Sequence, residues 1–153
     1  MSDEIRINRD ENRLLILSRL DHRYYHGGTF TYQQTATIFS DLLVQQHDTV
    51  TGDLVYLEQK EMIRVLRGMN ERLPNSVMIT ADGIDKYEKA MQKASEKILD
   101  SETVIPEDID SDLKAGVWDR VDEWLENHPA IVRIFSKLFV GSLRGDFEDL
   151  NSE

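Results

Sequence analysis

The stretch Thr49-Val50-Thr51-Gly52-Asp53-Leu54-Val55-Tyr56-Leu57-Glu58-Gln59-Lys60-Glu61-Met62-Ile63 decides how the first half of this chain folds. Val50, Leu54 and Leu57 step by four and then three, the spacing of one helix face, and Asp48 or Thr49 is placed to cap the first turn. Beyond Lys60 the pattern changes: Met62-Ile63-Arg64-Val65-Leu66 is short and β-branched, and so is Ser76-Val77-Met78-Ile79. Gly, Asn and Pro lie between them in the stretch from Gly68 to Asn75, so the pair predicts a hairpin. A second stretch, Ile79-Thr80-Ala81-Asp82-Gly83-Ile84-Asp85, closes it. Thr80 ends the strand and can cap a helix, Asp82 suits that helix's first turn, and Ile84 turns to the core.

Before this stretch, Leu14, Ile16, Leu17, Leu20 and Tyr24 predict an amphipathic helix from Asn12 to Tyr25, ended by Gly27-Gly28. Thr29-Phe30-Thr31 is β-prone. Ala36, Ile38, Phe39, Leu42 and Leu43 predict a second helix, and Gln45-Gln46-His47-Asp48 a polar break before the third. On the other side, Ile84, Tyr87, Met91, Ala94 and Ile98 form a two-heptad seam that favours a helix partner. Asp100 to Asp112 is acidic and aperiodic, and is expected to be a linker. Leu113, Val117, Val121, Trp124 and Leu125 predict one amphipathic helix, and Ile131, Ile134, Phe135 and Leu138 another, with Pro129 in its first turn.

The expected organisation is a domain over 1–99, a linker over 100–112, two helices over 113–144 and an acidic tail over 145–153. The 153 residues have no cysteine, which excludes disulfides, thiolate metal sites and cysteine nucleophiles. No basic-then-apolar leader opens the chain and no apolar run approaches the ~20 residues of a membrane span, so a soluble cytoplasmic protein is expected. The net charge is −11, unevenly spread. Residues 1–90 carry 11 basic and 14 acidic side chains, residues 91–153 carry 7 and 15.

The order helix, short strand, helix, helix, hairpin, helix, with the two quoted stretches at their separation, resembles the winged helix-turn-helix DNA-binding domains of bacterial and archaeal transcriptional regulators, over about residues 12–91. The fold class expected is mainly α, an α+β winged helix with a long fourth helix and a helical extension; the terminal helices resemble no family. The resemblance implies double-stranded DNA as partner, with the third helix in the major groove and the hairpin as wing. On this sequence the contact set becomes Thr49, Thr51, Tyr56 and Lys60 from the helix, and Arg64, Arg67 and Arg72 from the wing, with Arg9, Arg13, Arg19 and Arg23 as further cations. The third helix departs from a typical reader: its outward face has one cation and the acid Asp53, and Gly52 offers no side chain. A homodimer is expected through Ile84, Tyr87, Met91, Ala94 and Ile98, joined by Ile131, Phe135 and Leu138. The alternative reading is a winged helix that serves as a protein-interaction scaffold, docking a partner on the C-terminal helices. Arginines paired with Glu61 and Glu71 would then merely decorate the hairpin.

Other constellations point to no chemistry. His22 and His26 have zinc-protease spacing without the glutamate. Asp108, Asp110, Asp112 and Asp119 mimic a calcium loop, but Leu113 replaces its glycine and the bidentate glutamate is missing. No phosphate loop, nucleophile elbow or catalytic triad is present, so neither an enzyme nor a cofactor is expected. The apolar stripe around Phe135 and Phe139 has too little basic flank for a membrane surface and reads as core or dimer interface.

Overall fold

The computed structural model describes residues 8–27 and 30–145, with the backbone alone at 25–27. The chain is mainly helical with one small antiparallel sheet. In order come α1 (Arg9–Gly27), β1 (Gln33–Gln34), α2 (Thr35–Ile38), α3 (Ser40–Gln59), β2 (Ile63–Leu66) and β3 (Ser76–Ile79). They are followed by α4 (Ala81–Leu99), α5 (Glu107–Ala115), α6 (Val121–Asn127) and α7 (Pro129–Arg144). The expected tail falls largely on 146–153, outside the described residues, as does the His26 side chain. Two units emerge, Ile16–Lys86 and Met1–Leu15 with Tyr87–Glu153, divided within α1 and at the Lys86–Tyr87 step of α4.

In the unit 16–86, Val50, Leu54 and Leu57 of α3 are fully buried, as are Met62, Ile63, Val77 and Ile79 of the hairpin. The helical and strand periods thus put their apolar sides into a core, as the sequence predicted. The polar break is one residue, Gln46, whose φ of −147° and ψ of 59° interrupt α3. The sheet runs β1-β3-β2, with Ile63 opposite Ile79, Arg64 opposite Met78 and Gln33 opposite Val77. The first strand is therefore Gln33–Gln34 rather than Phe30-Thr31, and Thr29 lies outside the described residues. Pairing with β3 decides its position, continued by the Thr35 N–H donating to the Asn75 carbonyl at 3.0 Å. Phe30 instead lays its ring 4.6 Å from that of Tyr24. Arg19 forks onto Asp41 at 2.8 and 2.9 Å and also donates to the Ile38 carbonyl at 3.0 Å, tying α1 to the α2–α3 junction.

The junction from β3 to α4 rests on Thr80 and Gly83. Thr80 Oγ1 accepts from the Gly83 N–H at 2.9 Å, the expected cap. The same hydroxyl lies 2.8 Å from the Glu61 carbonyl oxygen and 3.1 Å from that of Met62. Gly83 sits against the Met62 backbone so closely that a Cβ there would overlap the carbonyl oxygen. Glycine here answers to close approach of two backbones, since its φ is not positive.

In the other unit, α1 begins three residues before the expected Asn12. Asn8 and Glu11 form a reciprocal cap: the Glu11 N–H donates to Asn8 Oδ1 at 2.9 Å, and the Asn8 N–H to Glu11 Oε1 at 2.8 Å. Glu11 is fully buried, with Arg133 Nε 3.7 Å from its second oxygen. The second half of the expected linker is helical, because Ile109 and Leu113 are buried and anchor α5. Its three aspartates are individually engaged: Asp108 lies 3.3 Å from His128, Asp110 3.0 Å from Lys114, and Asp112 accepts from Trp124 Nε1 at 3.0 Å. Nor is Leu113 to Leu125 one helix; Gly116, at φ 72°, ends α5, and α6 starts at Val121. Pro129 occupies the first turn of α7 as expected.

The seam expected to join two chains is core instead. Ile84, Tyr87, Met91, Ala94 and Ile98 are buried within this single chain, as is Phe135. Tyr87 meets the Phe139 ring edge-on at 5.8 Å, and Phe135 meets Trp124 at 5.9 Å. A heptad seam demands an apolar cover, and here the chain supplies its own. Ile131 and Leu138 are half-buried and Ile134 is exposed.

Candidate functional site

The residues singled out as DNA contacts lie on the second half of α3 and on the β2–β3 hairpin, and the structure sorts them into available and occupied groups. Thr51 is buried, its hydroxyl donating to the His47 carbonyl one turn back at 2.8 Å, so it offers nothing to a partner. Asp53 is buried too. Thr49 and Tyr56 are half-buried. Lys60 is exposed and holds its ammonium 5.7 Å from the centre of the Tyr56 ring, a cation–π arrangement at the end of the helix.

The three hairpin arginines have different surroundings. Arg67 forks onto Glu58 of α3, with Nη2–Oε1 at 2.7 Å and Nη1–Oε2 at 3.1 Å. Its Nε donates to the Arg72 carbonyl at 3.1 Å, which fastens the hairpin loop. The hydrogen bonds to Glu58 hold the guanidinium above its ordinary pKa, so Arg67 is a fully charged but committed group. Glu58 is the partner that sequence reading missed in favour of Glu61 and Glu71. Nine positions separate the pair, and only the return of β2 past α3 brings them together.

Arg64 and Arg72 are exposed, and neither guanidinium has an ion pair or hydrogen bond to a described residue. Arg64 projects from β2 in alternation with Ile63 and Val65. Arg72 reaches back from the loop toward α3: its Nη2 lies 3.9 Å from where a Cβ on Gly52 would stand. An arginine that arrives from the hairpin thus lies beside the helix at Gly52, at ordinary contact distance from where a Cβ would stand. At the loop tip Asn70 has φ 62°, and Met69 is almost wholly exposed. Among the first-helix cations, Arg19 is committed to Asp41, while Arg23 is exposed.

A groove of about 570 Å³ flanks the hairpin, lined by Tyr32, Glu61, Ile63, Arg64, Val65 and the start of α4 at Thr80 and Ala81. Two further carboxylates border it, Glu58 and Asp82, each with a cation, Arg67 and Lys86 respectively. No helix among the described residues is long and apolar enough to cross a membrane. No family model, no curated protein and no solved structure matches this chain.

Proposed function

We propose that residues 12–91 are a winged helix-turn-helix domain that binds double-stranded DNA, as a regulator of transcription, with the second half of α3 in the major groove and the β2–β3 hairpin along the phosphates. The order of elements over 9–99 supports this reading, as do the Thr80 cap and the Gly83 packing that close the hairpin. The observation that carries it is Arg72 lying over Gly52, which gives helix and hairpin one shared cationic surface. Lys60, Arg64 and Arg72 are its charged groups, and Tyr56 and Thr49 its polar ones. Local charge is compatible: residues 16–86 hold 7 basic and 9 acidic side chains, against 11 and 20 in the rest of the chain. The test is fluorescence anisotropy with a mixed-sequence duplex at low salt. The wild type binds with a non-specific Kd of roughly 10⁻⁴ to 10⁻⁶ M, and exchanging Arg64 and Arg72 for Glu weakens it by at least about tenfold. No binding to any duplex, or no effect of the exchange, sinks the reading.

A second reading has its own observation. Thr51 and Arg67 are already occupied, and Ile131, Ile134 and Leu138 leave a half-exposed apolar stripe on α7. In that case the winged helix is a protein-interaction module, and the stripe docks a partner helix or a second copy. Sedimentation of the Ile134→Glu variant separates the two, because self-association is lost while duplex binding is kept.

A further inference from the structure

The sheet of the unit 16–86 has one face in the core and one toward solvent. Ile63, Val77 and Ile79 fill the inner face and are buried. On the outer face Arg64 stands opposite Met78. Gln33 pairs with Val77, and the residue before it carries that register one step further, so Tyr32 takes the far end of the Arg64–Met78 row. Tyr32 and Arg64 accordingly line one groove. Two rings are open to solvent here, Phe30 at 46% and Tyr32 at 38% exposure. Phe30 is backed by Tyr24 and shares a narrow cleft with Arg23 and Met78. Met78 therefore connects the Arg23–Phe30 cleft to the Tyr32–Arg64 row.

A single exposed apolar side chain calls for no explanation. Two exposed aromatic rings bracketed by two exposed arginines form a pattern, and neither Arg23 nor Arg64 has an ion pair or hydrogen bond to a described residue. Beside Arg64, Glu58 and Asp82 are each held by a cation, Arg67 and Lys86, which leaves Glu61 as the acid that opposes it. Flat apolar rings alternating with free guanidinium groups match a chain of flat bases alternating with phosphates. A duplex hides its base faces in its own stack, so the rings select a single strand. Phe30 and Tyr32 are two positions apart, at most about 7 Å between Cα atoms, against ~3.4 Å per base in a stacked strand, so two successive bases fit them only when unstacked.

We infer that the outer face of this sheet binds a single nucleic-acid strand, RNA or DNA, with successive bases stacked on Phe30 and Tyr32 and phosphates on Arg64 and Arg23. Arg64 is common to this face and to the surface proposed for duplex DNA, so the two ligands compete. Phe30, Tyr32 and Arg23 serve the single strand alone, which lets the two activities be scored separately.

The experiment is a fluorescence-anisotropy titration of the full chain at low salt with a thymidine octamer, a uridine octamer and an abasic octamer of equal phosphate count. The first two distinguish a DNA from an RNA strand, and at least one of them should bind about tenfold or more tightly than the abasic strand. Phe30→Leu and Tyr32→Leu, which keep an apolar side chain, should each weaken that binding by about fivefold or more, the worth of one base stacked on an aromatic ring, and leave duplex affinity unchanged. Arg23→Gln should lower the slope of log K against log salt by about 0.7, and Glu61→Gln should tighten binding. Equal binding of the abasic and base-bearing strands, no binding of any octamer, or unchanged affinity in both leucine variants overturns the inference. So does a loss of self-association in Tyr32→Leu with octamer affinity intact, which gives the face to a second copy of the chain. Octamer binding without duplex binding overturns the duplex reading only.

Discussion

Arg67 and Glu58 meet through two parallel hydrogen bonds, 2.7 and 3.1 Å long, that join the end of β2 to the last turns of α3. The contact withdraws one wing cation from the surface proposed for DNA. Glu58→Gln should release it, so the slope of log K against log salt for a duplex steepens by up to about one unit. Because both partners are about a third exposed, at 30% and 35%, the stability loss should stay below about 1 kcal/mol. Anisotropy titrations at several salt concentrations check the first and urea denaturation the second.

Two helix glycines should respond in opposite directions. Gly83→Ala forces a methyl into the Met62 carbonyl, which is backbone and cannot step aside, so a loss of about 1–3 kcal/mol is expected. Gly52→Ala meets only Arg72 Nη2 at 3.9 Å, an ordinary contact, and gains helix propensity of up to about 1 kcal/mol. Thermal melts of the two variants give the sign of each effect directly; destabilisation by Gly52→Ala would contradict the packing described for Arg72.

The Arg19–Asp41 contact makes a pH prediction. The hydrogen bond from Arg19 holds the Asp41 carboxyl below its ordinary value. A group depressed in the folded state stabilises above its unfolded pKa, about 3.9, and that contribution disappears as pH falls through the folded value. Asp41→Asn should therefore cost a little at pH 7 and show a shallower loss of stability below about pH 4. Asp41 is 56% exposed, so the difference should be under about 1 kcal/mol and shrink with salt. Denaturant midpoints at pH 7 and pH 3 measure it.

Met91 tests the seam. As a fully buried core residue, its change to Ala should lower stability by about 2–5 kcal/mol at every protein concentration. An interface residue would instead make the loss concentration-dependent. Melts across a hundredfold dilution distinguish the two.

Local period and turn chemistry were legible in the order of the residues. Val50, Leu54 and Leu57 marked a helix, the β-branched runs at 63–66 and 76–79 marked the hairpin, and Thr80 marked the helix after it, because each signal lies within a few residues of the structure it specifies. Periodicity also found the buried face of α4, whereas on α7 only Phe135 of the expected stripe is buried, with Val132, Phe139 and Val140 beside it. It was silent on what covers the α4 face, since an apolar stripe repeats identically whether its neighbour is Phe139 of the same chain or a second protomer. Tertiary structure alone decided that cover, the shift of the first strand to Gln33–Gln34, and the division of labour among the arginines. Arg67 found Glu58 and Arg72 found the space over Gly52 because a hairpin folds back on a helix, and long-range proximity of that kind leaves no spacing to read. Gly83 shows the same limit. Its neighbours in sequence explain the cap, while the Met62 backbone, twenty-one positions earlier, explains why no side chain fits.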